Sequence, residues 1–247
     1  MSIDDVCKSG KKSSKNEVMR IYFFFVVLFV FSLVACDNDS YETGDGSLSY
    51  MRADFVEAET DASARIISVV TDDNDKLNLT KPLTVKWAKD PKSVYRALLY
   101  YNRRTVTNSY YEAEPIGISQ VLMPPVKTID SFNNGIKTDP VSFVSAWISA
   151  NEKYLNLDLK VKTGSVSGDS QGQIIGMAYE ITDGNVNSQQ KVKLRFYHDQ
   201  NNVPEYYSTQ LYVSVLLSSI PVQLSQGDEI AIVIHTYEGE ITKTFTL

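Results

Sequence analysis

The sequence predicts an all-β protein of two domains, a small closed barrel followed by an antiparallel β-sandwich. Apolar and polar residues alternate with period two through much of the chain. No long stretch carries the 3.6-residue periodicity of an amphipathic helix. Short strand-like runs recur between turn-forming segments rich in Gly, Asn and Asp.

An export signal precedes the fold. Residues 21–35, IYFFFVVLFVFSLVA, form an uncharged apolar run of 15 residues behind Lys8, Lys11, Lys12, Lys15 and Arg20. A basic region followed by an apolar one is the layout of a secretory signal. As a helix the run spans about 22 Å, short of the roughly 30 Å hydrocarbon core, which disfavours a permanent span. It ends in Leu33-Val34-Ala35-Cys36. Small residues suit a peptidase cut, and the cysteine behind them offers a thiol for diacylglyceryl transfer. Residues 1–35 are therefore expected to be a lipoprotein signal peptide and Cys36 the acylated N-terminus of the mature chain. Two or three acyl chains, at about 0.8 kcal/mol per buried CH₂, would hold it stably in a bilayer. Met19-Arg20 would by itself open a compact signal, so residues 1–18 are expected to be an over-extended start.

Loss of the signal changes the balance of the chain. The mature part has 212 residues, with Cys36 as its one cysteine, so no intramolecular disulfide is available to it. Subtracting the signal's 5 basic and 3 acidic residues from 24 and 30 leaves 19 and 27, a net charge of −8. Such a surface opposes a nucleic-acid partner. Residues 36–48, with the acidic run DNDSYETGDGSL behind Cys36, read as a flexible tether and resemble the acidic export signal of surface lipoproteins in Bacteroidetes. Outer-membrane attachment is expected, at the cell surface or on the periplasmic face.

The first domain, residues 49–125, has strand candidates at 50–58, 64–70, 83–87, 96–103 and 111–121, with TDDNDK at 71–76 as a turn. Phe55, Ile67, Val69, Val85 and Trp87 are the expected core. Five short strands in so few residues fit a closed barrel, because closure removes exposed edges. Met123-Pro124-Pro125 marks the boundary.

The second domain, residues 126–247, has seven strand candidates: 143–150, 153–163, 173–181, 191–197, 209–217, 230–234 and 240–246. In 153–163, Leu155, Leu157, Leu159 and Val161 are expected inward, and Asn156, Asp158, Lys160 and Lys162 in water. Val192, Leu194 and Phe196, and then Leu211, Val213, Val215 and Leu217, repeat the pattern. Residues 230–234, IAIVI, suit a strand covered from both sides. Antiparallel strands in two packed sheets are the simplest arrangement.

YMRADFVEAETD at 50–61, the acidic turn DDNDKL at 72–77 and the strand leading to Trp87 resemble the N-terminal domain of the NigD-like lipoproteins of Bacteroidetes. KYLNLDLKVKTG at 153–164, after a strand containing Trp147, resembles their C-terminal domain. The resemblance covers most of the mature chain, and its motifs are structural. It implies an OB-like barrel followed by an immunoglobulin-like antiparallel β-sandwich. It also implies a link to a bacteriocin cluster, through immunity or export, and it carries over no catalytic residues. The turn at 72–76 lacks a glycine, so its geometry is open to departure from that of relatives.

Little in the chain points to catalysis. His198 and His235 fall in separate elements, where turn chemistry and packing account for them. There is no G-x-S-x-G elbow and no H-E-x-x-H helix. Asp72-Asp73-Asn74-Asp75 offers oxygen ligands that suit calcium, but lacks EF-hand spacing and reads as a turn. Neither metal nor cofactor is expected. Tyr100 and Tyr101 with Arg103 and Arg104 could form a stacking platform beside basic groups. Location and charge oppose that use. Tyr110, Tyr111 and Tyr207 belong to the same tyrosine-rich composition. The aromatics proposed for a ligand face are Tyr100, Tyr101, Tyr206 and Tyr212. Three functions follow: a non-enzymatic envelope lipoprotein binding an extracellular or periplasmic protein or glycan, a bacteriocin immunity or export accessory, and a hydrolase of a surface polymer. The first is preferred.

Overall fold

The computed structural model describes residues 51–107, 110–132, 135–164, 172–183 and 190–247. The signal peptide, Cys36 and the tether lie outside the described residues. Within residues 50–247, one compact unit, the strands form a barrel and then a sandwich. No α-helix occurs among the described residues, and none of their helices is long and apolar enough to cross a membrane.

The barrel is built from β1 (Met51–Thr60), β2 (Ile66–Thr71), β3 (Lys76–Leu83), β4 (Val94–Thr107) and β5 (Tyr110–Gln120), closed in the order β1-β2-β3-β5-β4. Four of its pairings are antiparallel, and β3 meets β5 in parallel. Period-two alternation sends Val56 and Ala58 of β1, Leu77 and Leu79 of β3, and Ala97, Leu99 and Tyr101 of β4 into one core. Asp61 builds the β1–β2 turn. Its carboxylate accepts from the backbone N–H groups of Ser63 and Arg65 at 2.8 and 2.9 Å and pairs with the Arg65 guanidinium at 2.7 Å. These bonds, led by that from the Arg65 N–H, hold the carboxyl below its ordinary value.

Three expectations for the barrel are corrected. Phe55, expected in the barrel core, lies on the opposite side of β1 from Val56 and packs outside against Trp147 and Tyr212. The third strand runs over Lys76–Leu83 instead of 83–87. Its two buried leucines follow so closely on the acidic turn that the turn masks the alternation. Val85 and Trp87 still pack on the barrel core from the following loop. That loop is held by Tyr95, whose hydroxyl accepts from the Lys89 and Asp90 N–H groups at 3.0 and 2.8 Å. Ile67 is 39% exposed, because the β2–β3 register shifts between Ile66 and Ser68 and breaks the alternation there.

The sandwich comprises β6 (Val126–Thr128), β7 (Ser142–Ile148), β8 (Tyr154–Thr163), β9 (Ile174–Asp183), β10 (Lys191–Asp199), β11 (Tyr207–Leu216), β12 (Glu229–Thr236) and β13 (Gly239–Thr246). One sheet has the order β13-β12-β10-β9-β6, and the other β11-β8-β7. Leu155, Leu157 and Leu159 of β8 pack with Val213 and Val215 of β11 and with Leu194, Ile230, Ile232 and Ile234 of the larger sheet. The seven expected strands are present, with short β6 added. The sheets are not wholly antiparallel: β10 pairs with β12, and β6 with β9, in parallel. The chain leaves β10 for β11 in the opposite sheet and returns as β12, so β10 and β12 run the same way.

Candidate functional site

Alternation along β4 puts Ala97, Leu99 and Tyr101 inside the barrel and turns Arg96, Leu98 and Tyr100 outward. The outward residues meet the outer face of the three-stranded sheet, where β8 presents Tyr154, Asn156 and Asp158 and β11 presents Tyr212 and Ser214. Asn156 was expected in water, yet it and Ser214 have no exposed surface. Their outward face is covered by the barrel.

Arg96, 4% exposed, is the centre of this seam. Its guanidinium forks onto Asp72, Nη1 to Oδ1 and Nη2 to Oδ2, both at 2.7 Å. Nε donates to Ser214 Oγ and Nη2 to Asn156 Oδ1, each at 3.1 Å. Asn156 returns a bond from Nδ2 to Asp72 at 3.2 Å, and Ser214 donates to Asn156 at 2.6 Å. The guanidinium carbon lies 3.9 Å from the Tyr154 ring centroid and 5.4 Å from that of Phe55. Phe55 meets Trp147 and Tyr212 edge-on, at 5.3 and 5.5 Å. Around this centre Tyr154 donates to Glu57 at 2.8 Å, and Lys153 pairs with Glu57 at 3.2 Å. Leu122, just past the barrel, donates its N–H to Tyr212 O and accepts from Ser214 N–H, at 3.0 and 2.9 Å. Asp72 of the supposed calcium run is thus an interdomain anchor, and Asp75 pairs with Arg103 at 2.9 Å.

Beside the seam opens a cleft of about 390 Å³ lined by Tyr100, Ser119, Gln120 and Leu122 from the barrel side and Gln210, Leu211 and Tyr212 from β11. Two of the four proposed aromatics, Tyr100 and Tyr212, meet here. Tyr212 stands directly opposite Asp158 across the β8–β11 ladder. Burial, then the charge of Asp158 and the contact with Tyr100, raise the Tyr212 phenol above its ordinary value. Gln210 Nε2 donates to both Asp158 oxygens, at 2.8 and 2.9 Å.

The other two aromatics lie elsewhere. Tyr101 is corrected: it is fully buried in the barrel, where its hydroxyl donates to Asp54 at 2.7 Å, so it has no face to offer. Tyr206, 73% exposed, stands with Tyr207 at the start of β11, several residues along that strand from Tyr212. The Tyr110 side chain lies outside the described residues. The basic platform is also dispersed. Arg103 stacks on Tyr111 at 3.9 Å and pairs with Asp75, while Arg104 pairs with Glu114 at 2.8 Å.

Neither histidine faces the cleft. His198, 1% exposed, contacts Asp139 O through Nδ1 at 3.0 Å, and its Nε2 is buried without a partner among the described residues. His235 contacts Thr138 O. Next to them Lys137 pairs with Asp199 at 2.6 Å in a polar hollow. Their hydrogen bond lowers the Asp199 carboxyl and raises the Lys137 amine. No group of three or more His, Cys, Asp or Glu gathers to hold a metal among the described residues.

Sequence reasoning missed Arg96, Asp72 and Ser214 as site residues. One signal was available: Arg96 is a lone charge in the otherwise apolar run VYRALLYY.

Comparison with solved structures finds the same two-domain fold. A NigD-like immunity protein of Bacteroides caccae is 23% identical, with a TM-score of 0.62, over 79% of this chain and 97% of its own. A candidate toxin-related protein of Parabacteroides distasonis is 20% identical, with a TM-score of 0.55, over 80% of this chain and 93% of its own. A candidate lipoprotein of Bacteroides fragilis is 12% identical, with a TM-score of 0.55, over 79% of this chain and 96% of its own. No curated protein sequence matches. Residues 124–247 match the family model of the NigD-like C-terminal beta sandwich domain, and the chain belongs to the NigD-like family.

Proposed function

We propose that this chain is an acylated lipoprotein of the outer membrane that binds a protein in a bacteriocin immunity or export role. The supporting observation is its likeness to the Bacteroides caccae immunity protein along nearly the whole of that chain. The sequence carries the matching address, an apolar signal ending at Cys36. The geometry suits binding: Arg96 fixes barrel to sandwich, so the cleft between them is formed before a partner arrives, and a rigid site loses less entropy on binding. Immunity here replaces the broader preference for any protein or glycan ligand.

A strain deleted for this gene, challenged with culture supernatant of bacteriocin-producing relatives, tests the proposal. Sensitivity is expected to rise several-fold and to return to the parental level on complementation. Unchanged sensitivity and unchanged bacteriocin export in the deletion strain would refute both roles.

A further inference from the structure

The cleft beside the seam pairs two kinds of group that together recognise a cation. Tyr100 and Tyr212 line it and supply π-rich rings. Asp158 stands beside the lining, opposite Tyr212 on β8 and bonded to the lining Gln210, and supplies a carboxylate at the cleft's edge. The hydrogen bonds given to Asp158 come from the neutral amide of Gln210. No Lys, Arg or His nitrogen lies within 4.0 Å of it among the described residues, whereas Asp72, Asp75, Asp61 and Asp199 each hold a cation at that range. Lys160 is the nearest cation in the ladder. It stands opposite Gln210, two pairs further along β8, and makes no ion pair with Asp158.

We propose that this cleft binds a lysine or arginine side chain of a protein partner, seated between the Tyr100 and Tyr212 rings with its charge against Asp158. A cation over a tyrosine ring gains about 0.5–1 kcal/mol at exposed sites and more when desolvated. Leu122 and Leu211, also in the lining, suit the methylene stem of such a side chain. Gln120 and Gln210 offer amides to the partner's backbone. The chain's net charge of −6 would steer a basic partner toward it. The inference rests on the protein-binding reading above and names the partner chemistry within it.

The test uses the full chain in detergent micelles and a tri-lysine peptide blocked at both ends. Binding is followed by calorimetry at low salt. Asp158→Asn keeps the acceptor for Gln210 and removes the charge, and it is expected to weaken binding about tenfold, equivalent to about 1.4 kcal/mol. Tyr100→Ala is expected to weaken it as well, with affinity measured well below the variant's own melting temperature. Glu180→Gln, which removes an exposed charge from the other sheet, should leave affinity unaltered. Acetylation of the peptide's lysines should abolish binding. Equal losses in Asp158→Asn and Glu180→Gln, or retained binding of the acetylated peptide, would overturn the site. An immunity phenotype in the deletion strain with no peptide binding would sink this inference and spare the function. Binding without any phenotype would do the reverse.

Discussion

At the scale of single residues, Arg96 shows how a buried charge is made tolerable. Taking an ion out of water costs several kcal/mol, and that cost is offset only when geometry is good and the remaining protons find acceptors. Arg96 meets both conditions, with a forked pair to Asp72 and further bonds to Ser214 and Asn156. Removing one partner leaves the other uncompensated in a dry seam. Arg96→Ala is therefore expected to destabilise the protein by about 3–5 kcal/mol. Arg96→Lys should recover only part of this, because an ammonium cannot fork onto a carboxylate. Urea unfolding of both variants, with Asp72→Asn to close a double-mutant cycle, measures it. A loss from Arg96→Ala below that of an ordinary surface change would contradict the assignment. Arg96 was legible in the sequence as a charge out of place. Its partners were not, since Asp72, Asn156 and Ser214 lie 24, 60 and 118 residues away and only the docking of two domains gathers them.

Strands were legible wherever one face is apolar over several pairs. Leu155, Leu157, Leu159 and Val161 mark the inner face of β8, and Val192, Leu194 and Phe196 that of β10, because period two has a single structural meaning. What failed was local or non-local in particular ways. A register shift turned Ile67 outward, and a second buried face hid Asn156 among residues expected in water. The same two-sidedness gives β4 and β8 a shared pH response. Tyr101 of β4 donates to Asp54, and Tyr154 of β8 donates to Glu57. Burial first, then the carboxylate acceptor, raises both phenols well above the ordinary value of 10.0. A proton held more tightly in the folded state gives stability that is complete below the unfolded value. That stability is lost as pH rises above it toward the folded value. Urea midpoints are thus expected to fall as pH rises above 10.0, and to fall less steeply in Tyr154→Phe. An identical slope in wild type and variant would show that Tyr154 carries none of the response.

For the whole molecule, location and reach decide which partners can be met. The barrel and sandwich form one compact unit, joined through Arg96, the Leu122 backbone and the Phe55–Trp147–Tyr212 ring contacts. Between Cys36 and β1 lie fourteen residues, a polar stretch in which four are acidic. As the flexible tether expected from its composition, a stretch of n residues would have a root-mean-square span of about 5–6 Å times √n, roughly 20 Å here. Only a partner that comes to the bilayer surface would then reach the cleft. The proposed attachment would depend on one sulfur, that of Cys36. Replacing Cys36 with alanine is expected to abolish incorporation of radioactive palmitate and to release the protein from the membrane fraction, because the remaining cysteine, Cys7, lies ahead of the apolar run and not behind it, and a single uncleaved apolar run of 15 residues is short for a span. Persistent labelling of the variant would place the acyl chain elsewhere. Loss of label without release would show that the uncut signal itself anchors the chain. With wild-type cells, protease added outside should remove the β domains if they face outward, and full protection would assign them to the periplasmic side, where a partner must cross the outer membrane before it can meet the cleft.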